Sequence, residues 1–184
     1  MAVYMVFDVE SLGLHGESFA VGWVVVDLDK GLELGCDFAA CNHSVLRGAP
    51  EAYQWVDDHV PFLPSVYRSP AQIRRYFWEM WRYWHTEHGA MLAADVNWPV
   101  ESRFLCACVD AKPAEREWQG PYPLIDVASC RLAAGFDPLA TEPRLADEMP
   151  AHNPLCDARQ SARLLRQALR GVNMSFVKAY ERRL

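Results

Sequence analysis

The feature that most constrains the fold is an apolar run at the start of the chain that carries two acidic residues, Asp8 and Glu10. The run from Val3 to Val9 has the composition of a β-strand buried on both faces. Side chains two positions apart in a strand point to the same face, so the two carboxylates would stand side by side. Burying two unpaired charges is costly, and a divalent cation would offset that cost. The pair therefore indicates a metal site, unless the strand ends at Phe7 and both acids are solvated turn residues.

The rest of the chain predicts one α/β domain over residues 1–184. Strands are predicted at 17–27 and 32–41, and their short connections favour an antiparallel meander with the first strand. Further strands are predicted at 89–96 and 122–126. Predicted helices cover 49–58, 69–89, 98–111, 127–134 and 154–170, the last of them ending at Gly171. This order indicates a mixed sheet with helices on its faces.

The helix at 69–89 is unusually aromatic. Its residues at helical spacing form a stripe for the core: Ile73, Phe77, Trp81 and Trp84. Trp78 and Tyr83 lie off that stripe, so a partner subunit, a nucleic-acid base or the core itself could cover them. A homodimer is therefore one expectation.

Two more acids and a histidine stand where they could join the first pair. Asp95 ends the fourth predicted strand, and it would emerge beside Asp8 if strands one and four are parallel neighbours. Asp157 lies in the first turn of the last helix, and His152 lies in the loop before it. Each of these three residues also has an ordinary structural explanation, as a helix cap, a first-turn acid or a loop histidine.

Taken together, three segments resemble the DEDDh branch of the 3′-to-5′ exonucleases: FDVESLGL, LAADVNW and HNPLCDARQSARLL. They supply D-x-E, a mid-chain Asp and H-x-x-x-x-D in the expected order over nearly the whole chain. The chain looks most like the small single-domain bacterial and phage exoribonucleases of this branch. It departs from the common pattern at Ser11, Pro154 and Cys156, which replace neither a metal ligand nor the base. These departures bear on the substrate.

The resemblance implies a fold, a cofactor and a reaction. The ribonuclease H-like fold is a mixed five-stranded sheet flanked by helices, with strands 1–3 antiparallel and strands 4 and 5 parallel to strand 1. Two Mg²⁺ ions, which Mn²⁺ can replace, would be held by Asp8, Glu10, Asp95 and Asp157. His152 would take the proton from the attacking water. Hydrolysis would start at the 3′ end of single-stranded RNA, or of a 3′ overhang, and release nucleoside 5′-monophosphates.

Substrate contacts are expected near the D-x-E segment. Leu12, Leu14 or His15 would wedge against the terminal base or sugar, and Trp98 would stack on a base. The backbone of Ser11 and Gly13 would approach the terminal 3′- and 2′-hydroxyls, and a contact to the 2′-hydroxyl would select RNA.

Several alternatives stay open at this point. The same site could serve a DNA-directed exonuclease, or the domain could bind nucleic acid or protein without cleaving. A zinc site could use Cys36, Cys41 and His43, or Cys106 and Cys108, but the paired spacing of such sites is missing and buried thiols are favoured. The net charge of −6 argues against a protein that coats long nucleic acid. No apolar stretch has the length of a membrane span and no basic segment precedes the first apolar run, so a cytoplasmic protein is expected.

Overall fold

The computed structural model describes residues 3–181, and the side chains of residues 3–171. The strands are β1 (Val3–Ser11), β2 (Ser18–Asp27), β3 (Leu32–Ala40), β4 (Met91–Ala94) and β5 (Leu124–Asp126). The α-helices are α1 (Pro50–His59), α2 (Pro70–His88), α3 (Ser102–Asp110), α4 (Pro113–Arg116), α5 (Val127–Ala133) and α6 (Pro154–Glu181). A π-helical turn over Asn97–Glu101 leads into α3, and single 3₁₀ turns lie at His43–Val45 and Ala146–Glu148.

The sheet has the strand order β3-β2-β1-β4-β5. β1 pairs antiparallel with β2, and β2 pairs antiparallel with β3. β4 pairs parallel with β1, and β5 pairs parallel with β4. The predicted fold is therefore confirmed, and the carboxyl ends of β1, β4 and β5 meet at one edge of the sheet, where parallel sheets place their ligands.

Alternation along β1 divides its side chains between two cores. Met5 and Phe7 pack with α2 and α3, and the rings of Phe7 and Phe77 lie 5.0 Å apart. Tyr4 and Val6 pack on the opposite face against α6. Because alternate residues share a face, Asp8 and Glu10 extend the row that begins with Tyr4 and Val6, and they point toward the layer that contains α6.

The structure decides one open alternative and corrects two details of the prediction. Trp78 is buried in the core, where its Nε1 donates to Gln119 Oε1 at 3.1 Å, so the aromatic excess of α2 is largely accounted for within one chain. The helix predicted from Trp98 begins instead as the π-helical turn, in which Trp98 has an extended backbone. The last helix does not end at Gly171 but continues to Glu181.

In the described part of the chain, no helix combines the length and apolar character that a membrane crossing requires.

Gly22 sets how closely α6 approaches the sheet. It lies opposite Asp8 in the β1–β2 register. A Cβ atom at this position would stand 2.2 Å from the backbone N of Leu155 and 2.3 Å from the carbonyl carbon of Pro154. Real Cβ atoms do not approach backbone this closely. A residue without a side chain is therefore required for the first turn of α6 to rest on β2 beside Asp8.

Gly22→Ala should consequently destabilise the fold by about 1–3 kcal/mol, the usual cost of overpacking a site that cannot relax. The measurement is urea denaturation followed by circular dichroism. Gly171→Ala is the matched control, since its added methyl group would come no closer than 3.4 Å to Ala134 Cβ and lies within a helix. An unchanged stability of Gly22→Ala would show that the start of α6 is free to shift.

Candidate active site

The two acids of the first strand lie within β1 and not in a solvated turn. Glu10 is 7% exposed, and both residues pair with β2. Burial raises the pKa of Asp8 well above its usual range, and neighbouring carboxylates raise it further; in decreasing order these are Asp157, Glu10, Glu101 and Asp95. Burial also raises the pKa of Glu10 to about 8, with added contributions from Asp157 and Glu101. The end of β1 is thus a crowded cluster of carboxylates.

The start of α6 brings Asp157 and His152 to this cluster. Asn153 Oδ1 accepts hydrogen bonds from the backbone N–H groups of Leu155 and Cys156 at 3.1 and 3.4 Å, which caps the helix. The backbone N–H of His152 donates to Asp157 Oδ2 at 3.0 Å. The His152 backbone has a φ of +58°, a left-handed conformation that turns the chain into the helix.

Glu10, His152 and Asp157 form a compact group of possible metal ligands. The Nδ1 atom of His152 lies 3.8 Å from Glu10 Oε1. One ligand atom from each of the three residues lies within 4.8 Å of the other two. Thus the structure brings together the D-x-E segment and the H-x-x-x-x-D segment, which are more than 140 positions apart in the chain.

Arg144 is a cation inside this acidic cluster that the sequence did not single out. Its Nη1 donates to Asp157 Oδ1 and, at 2.9 Å, to the carbonyl oxygen of Glu148. Both oxygens of Asp157 therefore accept hydrogen bonds, one from Arg144 and one from the His152 backbone. Burial raises the pKa of Asp157, and the guanidinium of Arg144 opposes that rise. No spacing rule could have identified Arg144, because it lies in an irregular loop between α5 and α6.

Glu101 is a further carboxylate that sequence reasoning missed. It is 9% exposed and ends the π-helical turn before α3. Burial raises its pKa to about 7, although the backbone N–H groups of Glu101 and Val9 donate to its carboxylate. The bond to Val9 places the Glu101 carboxylate against the end of β1.

Asp95 follows β4 directly, as the sequence predicts, at the same edge of the sheet. Burial raises its pKa, followed by the charge of Asp126. With Arg131 and Arg144 it lines a cavity of about 210 Å³ beside the carboxylate cluster. Asp126 itself caps α5 by accepting from the Ser129 backbone. Because the Asp95 residue is exposed, it lies toward the rim of the cluster.

The predicted substrate contacts fall on two kinds of position. Leu14 and Trp98 are 67% and 68% exposed, and the rings of His15 and Trp98 lie 6.4 Å apart. Leu12, by contrast, is 3% exposed and belongs to the core. Of the two leucines, Leu14 is the one that a substrate could touch.

Ser11 and Gly13 form the tight turn that follows β1. Ser11 Oγ donates to the Gly13 carbonyl at 2.9 Å, and Gly13 has a φ of +79°. This turn fixes the backbone immediately beside Glu10 and displays Leu14 and His15 at the surface.

Two aromatic residues of α1 border His152 and were not predicted. The ring of Trp55 meets the His152 ring edge-on with centroids 5.2 Å apart. His59 stacks on Trp55 at 4.7 Å with an interplanar angle of 12°. These aromatic rings border the His152 imidazole and restrain it.

The donor set suits a hard divalent cation. Carboxylate oxygens are the ligands that Mg²⁺ prefers in proteins, and a cation would offset the raised pKa values of the clustered acids. Among the described residues, Glu10, His152 and Asp157 are the group of three whose ligand atoms converge, and no cysteine belongs to it. The six cysteines are free thiols, so the zinc alternative has no cluster to support it in that part of the chain.

A pH dependence of stability follows from these carboxyl groups. The folded-state pKa of Glu10 is about 8, above its ordinary value of 4.5, so the folded chain binds this proton more tightly than the unfolded chain does. Without metal, the protein should therefore lose stability as pH rises from about 4.5 to about 8. Thermal denaturation in chelator, compared with Mg²⁺, should show a larger metal-induced rise in Tm at about pH 8.5 than at about pH 6. Equal rises at both pH values would contradict metal binding at these carboxylates.

Comparisons with known proteins agree on the fold. No model of a protein family matches the chain, and no curated protein matches it. Among solved structures, the nuclease domain of 3′hExo, a DEDDh family member bound to rAMP, is 12% identical with a TM-score of 0.52, over 91% of this chain and 92% of that one. Escherichia coli Exonuclease I in complex with a dT13 oligonucleotide is 11% identical with a TM-score of 0.61, over 98% of this chain.

This chain covers 44% of the length of Exonuclease I. The cell-death related nuclease CRN-4 is 10% identical with a TM-score of 0.51, over 92% of this chain and 64% of that one. At these low sequence identities the comparisons show the fold alone. It is the ribonuclease H-like fold that the DEDDh 3′ exonucleases share.

Proposed function

We propose that this protein is a divalent-metal-dependent 3′-to-5′ exonuclease whose substrate is single-stranded RNA or a 3′ overhang. The observation that carries the proposal is the meeting of Asp8 and Glu10 on β1 with His152 and Asp157 at the start of α6. Metal-supporting acids and a nearby base are the groups that phosphodiester hydrolysis requires. A domain that only bound nucleic acid would gain nothing from burying so many carboxylates together.

Asp8, Glu10 and Asp157 would hold Mg²⁺ or Mn²⁺. Asp95, at the rim of the cluster, would help to hold the metal through a water molecule. Glu101 lies against the end of β1 and is a further candidate ligand. When bound, a pair of such ions stabilises the attacking and leaving oxygens of phosphodiester hydrolysis. Arg144 holds Asp157 in place through one carboxylate oxygen.

His152 would act as the general base that removes the proton from the attacking water. Its side chain is 41% exposed, so solvent and substrate reach it, while Trp55 restrains the ring from one side. The product would be a nucleoside 5′-monophosphate. A contact of the Ser11–Gly13 turn with the terminal 2′-hydroxyl would favour RNA over DNA. The similar structures contain rAMP in one case and a dT13 oligonucleotide in another, so a DNA-directed exonuclease is the second candidate.

The test is a product assay on matched single-stranded RNA and DNA labelled at the 5′ end, with Mg²⁺, with Mn²⁺ and with chelator. We expect progressive shortening from the 3′ end with metal, release of 5′-monophosphates, faster turnover of RNA and no products in chelator. Faster turnover of DNA would assign the second candidate. Internal cleavage or activity in chelator would contradict the proposal.

The fourth ligand position yields a separate prediction. Glu101 is buried against the end of β1 whereas Asp95 is exposed, so Glu101→Gln should lower kcat by about 10²-fold or more, and Asp95→Asn should cost less. Both variants conserve size and remove one charge. Steady-state kinetics at saturating Mg²⁺, with Mg²⁺ affinity from calorimetry, measures the difference. If Asp95→Asn lowered kcat more than Glu101→Gln did, Asp95 would be the fourth metal ligand instead of Glu101.

A further inference from the structure

A cavity of about 440 Å³ opens beside the turn that follows β1. Its walls come from the start of β2, from α2 and from α3; they include His15, Ser18, Arg74, Arg103 and Phe104. Ser18 pairs with Ser11 in the β1–β2 register, and Ser11 is the neighbour of Glu10. The cavity therefore reaches the β1–β2 pair opposite Ser11, the residue that follows the proposed ligand Glu10, and its volume is within the range of sites for small organic ligands.

The charged side chains in the wall of this cavity are two arginines and two acids, and only one of the arginines is paired with an acid of the described chain. Arg103 is exposed and forms no hydrogen bond or ion pair with any residue that the structure describes. Arg74 is fixed at 2.9 Å from Glu17, and its Nε atom is buried without a partner among the described residues. Asp110, the other acid of the wall, lies seven residues after Arg103, about 10 Å along α3.

The cationic residue that α3 contributes to the wall stands at the start of that helix, close in the chain to Glu101. Arg103 follows the proposed ligand Glu101 by two residues, while Asp110 stands at the far end of α3. His15, whose ring meets Trp98 edge-on, lies between the cavity and the exposed side chains expected to contact the 3′ end. A strand whose terminus is at the metal ligands would therefore meet the Arg103 guanidinium, which has no partner among the described residues, as it leaves the site.

We propose that this cavity is a subsite for a nucleotide upstream of the two joined by the scissile bond, with Arg103 binding its phosphate. This inference rests on the proposed function for the position of the 3′ end. A guanidinium suits a phosphate because it offers several donors in a fixed plane. Ala107, Ala111 and Phe104 supply an apolar wall for ribose or base. The cavity is larger than a lone phosphate needs, which favours a nucleotide unit.

The test separates binding from hydrolysis. Binding of a labelled RNA pentanucleotide is measured by fluorescence anisotropy in chelator over a range of salt concentrations, and KM is measured with Mg²⁺ for the pentanucleotide and for a dinucleotide. Arg103→Gln should weaken pentanucleotide binding roughly 3- to 10-fold and reduce the salt slope by about one. It should also raise the KM of the pentanucleotide relative to that of the dinucleotide.

Arg75→Gln is the matched control, because Arg75 is a surface arginine of α2 that pairs with Glu79 outside this cavity. The inference is overturned if Arg103→Gln behaves like Arg75→Gln, if it affects both substrates equally, or if the native protein does not bind the pentanucleotide. If the native protein hydrolyses RNA but Arg103→Gln binds the pentanucleotide as well as the native protein does, the subsite is refuted and the proposed function stands. If Arg103→Gln weakens binding but the native protein hydrolyses nothing, the proposed function is refuted and the binding subsite stands.

Discussion

Asp8→Asn should reduce hydrolysis by about 10³-fold or more, because it removes the carboxylate at the centre of the acidic cluster and with it several kcal/mol of metal-assisted stabilisation. The same change should raise the Tm of the metal-free protein. Burial and four neighbouring carboxylates raise the pKa of Asp8, so the folded state accommodates a neutral amide more easily than a charge. The measurements are single-turnover kinetics with Mg²⁺ and thermal denaturation in chelator.

Opposite effects on activity and stability distinguish this role from a structural one. A residue that merely supported the fold would lower both quantities when it was replaced. In the variant, Mg²⁺ should also raise Tm by less than it does in the native protein, since one ligand is gone. Asp58→Asn is the control, because Asp58 is exposed on α1 and accepts hydrogen bonds from Gln54. If Asp8→Asn retained full activity, the assignment of the active site to this carboxylate cluster would have to be abandoned.

The sheet could be predicted because its determinants are local in the sequence. The turns around Gly13 and at residues 29–31 connect β1, β2 and β3 with so few residues that an antiparallel arrangement is the natural outcome. β4 and β5 follow helical segments, which is the pattern of crossover connections. The length of α6 could not be predicted in the same way, since Gly171 is a common stop signal but is also tolerated inside helices.

The candidate site was predictable to the extent that its residues follow a spacing rule. Asp8 and Glu10 are two positions apart on a strand, and His152 and Asp157 flank a recognisable helix start. Glu101 depends on a π-helical turn, a deviation from regular helix that periodicity does not reveal. Arg144 depends on the path of an irregular loop. Gly22 could not be predicted either. A side chain is excluded there because α6 packs against it, and α6 lies far away in the sequence.

His152→Ala should lower kcat by roughly 10²- to 10⁴-fold with little change in KM, the usual range for loss of a general base. The backbone N–H of His152, and not its ring, is what binds Asp157, so the carboxylate cluster should survive the substitution. Steady-state kinetics on single-stranded RNA gives the kinetic effect. The Mg²⁺-induced rise in Tm reports whether the metal ligands remain in place, and it should change far less than in Asp8→Asn.

Chemical rescue decides whether the imidazole acts as a base or only fills space. The His152 side chain is 41% exposed and meets Trp55 on one side, so its removal leaves a solvent-accessible gap that free imidazole can enter. Added imidazole should therefore restore part of the activity of His152→Ala, whereas it should do nothing for Asp8→Asn. Trp55→Phe is the matched control, because it keeps an aromatic neighbour beside the ring and should lower kcat far less. If His152→Ala instead raised KM and left kcat intact, His152 would be a substrate-binding residue, and another group would have to accept the proton from the attacking water.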